Sequence, residues 1–82
     1  MPPRTFSSND IITVLDDANW EYAPNSGGSH VKMVKRDHSG EKYSVTVALG
    51  YDPIPPGTLR SIAEQAGADD FDEFCRWIDN NC

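Results

Sequence analysis

Apolar residues recur along the chain with two different periods, and the change of period marks its elements. Ile11, Ile12, Leu15 and Ala18 fall at i, i+1, i+4 and i+7, one face of a helix that begins near Asn9 and ends near Asn19. Ser7 or Ser8 can cap it, with Asp10 three residues after Ser7 in capping-box position. Trp20-Glu21-Tyr22-Ala23 then alternates large and polar side chains, which predicts a short strand. Pro24-Asn25-Ser26-Gly27-Gly28 ends it with dense turn chemistry. From His30 to Arg36 a second strand places Val31 and Met33 on one face and His30, Lys32, Val34 and Arg36 on the other. Asp37-His38-Ser39-Gly40 reads as a tight turn, with His38 at its tip. Tyr43, Val45, Val47 and Leu49 alternate with Lys42, Ser44, Thr46 and Ala48, the signature of a half-buried strand.

Three prolines and two glycines between Gly50 and Gly57 exclude regular structure there. Thr58 is the expected cap of a second helix, with Leu59, Ile62, Ala63 and Ala66 on one face and Gly67 as its left-handed stop. A third helix starts at Asp69 or Asp70 and gathers Phe71, Phe74, Cys75 and Ile78. The predicted order is α-β-β-β-α-α: an α+β fold with a three-stranded antiparallel sheet, helices packed on one face, and the other face open to solvent.

Eighty-two residues form one domain, 1–82, with a thin core. Hydrophobic residues at 38% and charged residues at 24% suit a folded domain rather than a disordered tail. No apolar run approaches a membrane span, and Met1-Pro2-Pro3-Arg4 opens no secretory leader, so the expected location is cytoplasmic. Cys75 and Cys82 make no disulfide framework and have no zinc-site partners. Cys75 reads as a core residue and Cys82 as a terminal one. No metal or cofactor is called for.

Thirteen acidic against seven basic residues give a net charge of −6, which at first argues against nucleic acid. The distribution changes that view. Met1 to Pro24 sets Arg4 against Asp10, Asp16, Asp17 and Glu21, and Tyr51 to Cys82 sets two arginines against seven acids. Between them, Lys32, Lys35, Arg36 and Lys42 outnumber Asp37 and Glu41. The middle of the chain is therefore cationic, and the acidity belongs to the helical segments, as on a surface adapted to high salt. The acidic run Asp69–Glu73 reads as a solvated helix start, and Trp20 and Tyr22 as packing groups. Arg60 is placed either to meet a phosphate or to pair with Glu64 four residues on.

His30 is the candidate for chemistry. It follows Gly27-Gly28-Ser29, faces away from Val31 and Met33, and shares its face with Lys32 and Arg36. Gly27 and Gly28 leave room for a polymer backbone, and Ser29 can donate to a phosphate oxygen. An imidazole titrating near neutrality can take the proton of a ribose 2′-hydroxyl or return one to a leaving 5′-oxygen, the minimum for metal-free RNA cleavage.

Gly28-Ser29-His30 entering a strand, the Asp37–Gly40 hairpin turn, the Tyr43–Val47 strand, and Pro56-Gly57-Thr58-Leu59-Arg60-Ser61-Ile62 with Gln65-Ala66-Gly67 resemble the HicA mRNA interferase toxins, the YcfA-like family. The resemblance runs from about Ser8 to Phe74. It implies a double-stranded-RNA-binding-domain-like fold, ribosome-independent endoribonuclease action on mRNA without a cofactor, and neutralisation by a HicB-like antitoxin, with no DNA contact by this chain alone. The family's catalytic histidine corresponds to His30, with Gly27, Gly28, Ser29, Lys32 and Arg36 expected around the substrate. One stretch departs from the pattern: Ala48-Leu49-Gly50-Tyr51 stands where many members carry Pro-x-His, so no second histidine follows the third strand. The alternative reading is a non-catalytic RNA- or protein-binding module of the same fold.

Overall fold

The computed structural model describes residues 5–24 and 28–82. Its elements are α1 (Ser8–Asp17), β1 (Glu21–Tyr22), β2 (His30–Arg36), β3 (Lys42–Ala48), α2 (Pro56–Gln65) and α3 (Phe71–Asn81), the order the hydrophobic pattern predicts.

Ser7, on extended backbone, is the cap of α1. Its hydroxyl accepts from the Asp10 amide at 3.1 Å while its own amide donates to the Asp10 carboxylate at 3.0 Å, the reciprocal capping box. Ser8 is therefore the first helical residue, and it is buried. Ile11, Val14 and Leu15 form the inward face, with Ile12 and Ala18 packed at its margins. At the other end the Lys35 ammonium donates to the Ala18 carbonyl at 2.8 Å, setting a cation at the negative end of the helix dipole.

The sheet order is β1-β2-β3, antiparallel throughout. Residues directly opposed across a ladder share a face, so the register sorts the side chains. Val31↔Val47 and Met33↔Val45 point inward; Met33, Val45 and Val47 are wholly buried. His30↔Ala48, Lys32↔Thr46, Val34↔Ser44 and Arg36↔Lys42 form the opposite, open face. β3 ends one residue earlier than the alternation suggests. The Leu49 amide still donates to the Ser29 carbonyl at 2.8 Å, but Gly50 at φ 88° turns the chain, and the Leu49 side chain is exposed rather than part of the core. β1 is likewise limited to Glu21–Tyr22: Trp20 is buried ahead of it, and Tyr22 is exposed rather than a packing group.

α2 begins at Pro56, two residues before Thr58, and no side chain caps it. A proline at the first helical position brings a preset φ and lacks the amide that would otherwise go unpaired, so the Thr58 cap is not needed. Leu59, Ile62 and Ala63 face inward, and Gly67, at φ 84°, ends the helix as expected. Asp70 caps α3, accepting from the amides of Asp72 (2.8 Å) and Glu73 (3.3 Å). Phe74, Cys75 and Ile78 then close the core, while Cys82 is exposed. Arg60 takes a role outside both sequence expectations: its guanidinium stacks over the Phe71 ring, 4.3 Å from the centroid, and so ties α2 to α3. Phe6 and Ile54, both in irregular segments, are buried and joined through the Ile54 amide and the Phe6 carbonyl at 2.8 Å. Among the described residues, no helix is long and apolar enough to cross a membrane.

Candidate active site on the open sheet face

His30 owes its position to the turn before it and to its partner across the ladder. Gly28 has φ 67°, a conformation that favours glycine, and a Cβ there would meet nothing within 4 Å. Its requirement is thus backbone shape rather than space. Ser29 and His30 follow, both exposed, and β2 starts at His30. The residue opposite is Ala48, whose methyl group leaves the imidazole uncovered.

The Ser29 hydroxyl lies 3.1 Å from His30 Nδ1. This contact serves either tautomer. If the hydroxyl donates, Nε2 carries the proton of a neutral ring and is only a hydrogen-bond donor; if Nδ1–H donates, Nε2 is a free base and, once it has taken a proton, an acid. In both cases Nδ1 is engaged and Nε2 is left for chemistry. Lys32, two residues along the same face, is ~7 Å away at the strand rise. An ammonium there can offset charge on a phosphate held at His30.

Arg36 does not join this group. Six residues separate it from His30, about 20 Å along the strand, and its guanidinium donates to the Gly40 carbonyl at 3.0 Å. Gly27 lies outside the described residues. His38 sits in the β2–β3 turn, at the end of the hairpin remote from His30, so it gives no second catalytic group there. Among the described residues, no cluster of three or more histidine, cysteine or acidic side chains is placed to hold a metal ion. The structure therefore brings together Ser29, His30 and Lys32, and sets Arg36 apart.

One residue that the sequence pattern does not assign to the site supports it, and another stands at the far end of the same face. Ser8 fixes the β3 end opposite His30: its hydroxyl donates to the Ala48 carbonyl at 2.7 Å and accepts from the Tyr51 amide at 3.2 Å. Only the tandem Ser7-Ser8 hints at it. Lys42 stands directly across from Arg36, a pairing that the length of the Asp37–Glu41 turn determines.

Residues 8–68 match the family described as HicA toxin of bacterial toxin-antitoxin. The chain belongs to the HicA toxin family. The matched segment opens on Ser8 and contains Ser29, His30, Lys32 and the whole of α2, so the HicA signature covers the open face and its supports. Phe74, Cys75 and Ile78 of α3 complete the core from outside it. No curated protein and no solved structure matched. Membership of a HicA family makes this chain the toxin half of a toxin–antitoxin pair.

Proposed function

We propose that this chain is a ribosome-independent mRNA interferase, an endoribonuclease that acts in the cytoplasm on RNA laid across the open sheet face. The observation that carries the reading is the Ser29–His30 contact, which engages Nδ1 and leaves Nε2 exposed beside Lys32. His30 takes the proton of a ribose 2′-hydroxyl, and the 2′-oxygen attacks the adjacent phosphorus. The bond to the 5′-oxygen breaks, and His30 returns the proton to that leaving oxygen. The products are a 2′,3′-cyclic phosphate and a 5′-hydroxyl end, with His30 acting first as general base and then as general acid. Lys32 offsets the charge that builds on the phosphorane, and Gly27, Gly28 and Ser29 seat the phosphate. A HicB-like antitoxin silences the toxin by covering His30.

His30→Gln tests this directly. Loss of the general acid–base group lowers cleavage by about 10²–10⁴, with the melting temperature unchanged because the side chain is exposed. Cleavage by His30→Gln at the wild-type rate would overturn the mechanism. The absence of a second histidine at Ala48–Tyr51 favours one other reading, a module that binds RNA or protein without cutting. It requires RNA binding by the wild type with no new 5′-hydroxyl ends.

A further inference from the structure

The face that bears His30 has a second cationic site at its far end. Asn19, Glu21, Val34, Lys35, Arg36 and Lys42 line a cleft of about 460 Å³ there. Three cations meet a single carboxylate, Glu21. Lys35 is committed to the Ala18 carbonyl and Arg36 is held in place by the Gly40 carbonyl. The nearby Asp37 carboxylate is occupied by the amides of Ser39 and Glu41 and the Ser39 hydroxyl. Among the described residues, neither Arg36 nor Lys42 forms an ion pair.

Arg36 and Lys42 are also directly opposed across the β2–β3 ladder. Like charges in that relation destabilise a sheet, so the arrangement disfavours the fold unless an anion lies between them. Arg36 uses one of its five N–H groups on Gly40, which leaves the rest of the fork for a phosphate. The cleft lies in line with His30 along β2, with Lys32 and Val34 between.

We propose that the Arg36–Lys42 cleft is a second phosphate subsite for the RNA strand cut at His30. The strand runs parallel to β2, and its backbone is gripped at two points about 20 Å apart. This rests on the ribonuclease reading for the position of the scissile bond. It goes further in setting a minimum substrate: an RNA must be several nucleotides long to engage both points.

The test separates binding from cleavage. Fluorescence anisotropy is measured with a ladder of 2′-O-methyl oligonucleotides, from dinucleotide to dodecamer, which lack the nucleophilic hydroxyl and cannot be cut by internal transfer. Wild-type affinity should rise in a step once the oligomer spans both points. Arg36→Gln/Lys42→Gln should abolish the step, weakening the dodecamer by about tenfold or more, the scale of a charge-assisted hydrogen bond, and leaving the dinucleotide unaffected. Its log–log salt dependence should fall by about 0.7 for each phosphate that the variant no longer neutralises. The variant loses the Arg36–Gly40 bond together with the like-charge pair, so its folding is read directly, from a wild-type far-UV circular dichroism spectrum and a melting transition above the assay temperature, which excludes unfolding as the cause. A length dependence and salt slope identical to wild type would overturn the subsite. Cleavage of unmodified RNA, read separately, decides the ribonuclease mechanism, so either proposal can fail alone.

Discussion

Ser8 Oγ donates to the carbonyl of Ala48 across forty positions of sequence, and Ala48 is the residue that faces His30 on the sheet. One buried hydroxyl thereby joins the start of α1 to the outer edge of β3, and through the Tyr51 amide to the loop that follows. Ser8→Ala leaves the Ala48 carbonyl and the Tyr51 amide without that partner. The expected cost is about 1–3 kcal/mol, and each kcal/mol lowers the melting temperature of a domain this size by ~4–8 °C. Thermal denaturation checks it; a Ser8→Ala protein that melts with the wild type would show that the bridge is dispensable.

Gly67 and Tyr43 meet more closely than any other residue could allow. A Cβ on Gly67 would lie 2.7 Å from Tyr43 Cε1, and its φ of 84° is itself unfavourable for side chains. Gly40 has a similar φ of 87° but open space around it. Gly40→Ala thus isolates the backbone cost, roughly 1–2 kcal/mol. Gly67→Ala adds the overlap with the ring, a further 1–3 kcal/mol or so by analogy with overpacked cores. Denaturant titration should rank Gly67→Ala well below Gly40→Ala, and Tyr43→Leu should recover part of the difference in a double-mutant cycle.

These pairs also show what could be read from the chain. Periodicity located each element because Ile11/Leu15, Met33/Val45 and Phe74/Ile78 must be buried for so small a core to form. The alternation in β2 and β3 was enough to put His30 and Lys32 on one open face. The Arg60–Phe71 stack and the Ser8–Ala48 bond were hidden, since they join residues whose proximity depends on how α2 meets α3 and how α1 meets β3. Thr58 was misleading because a cap residue and a first-turn proline compete to start the same helix, and only backbone geometry decides. The separation of Arg36 from His30 follows from strand rise alone, yet shared sign and shared face grouped them in the sequence.

Ser29 acts on catalysis through His30 in the proposed mechanism, by holding Nδ1 at 3.1 Å. Ser29→Ala keeps the imidazole but frees its rotation. The expected result is a kcat lowered by about tenfold, the scale of one hydrogen bond of ~1 kcal/mol or slightly more, with KM little changed. Ser29→Thr, which retains the hydroxyl, should restore most of the rate. Steady-state cleavage of an RNA substrate distinguishes the outcomes: an unchanged kcat in Ser29→Ala would remove Ser29 from the mechanism.

Asp37 makes the β2–β3 turn sensitive to acid. Its carboxylate accepts from the Ser39 hydroxyl (2.7 Å) and from the amides of Ser39 (2.9 Å) and Glu41 (3.0 Å). The Ser39 hydroxyl bond is the largest influence holding the carboxyl below its ordinary value of 3.8; desolvation, next in size, opposes it, and the amides of Glu41 and Ser39 and the His38 charge add to the lowering. A folded value below the unfolded one means that the ionised carboxylate stabilises the fold. That contribution is complete above the unfolded value of 3.8 and is lost as the pH falls through the lower folded value. Asp37→Asn lacks it at every pH. The gap in urea midpoint between wild type and Asp37→Asn should therefore be widest near neutrality and shrink on acidification below 3.8. Subtracting the two proteins at each pH cancels the titration of the other carboxylates, so a gap that stayed constant across the acid range would show that Asp37 does not couple the turn to protons.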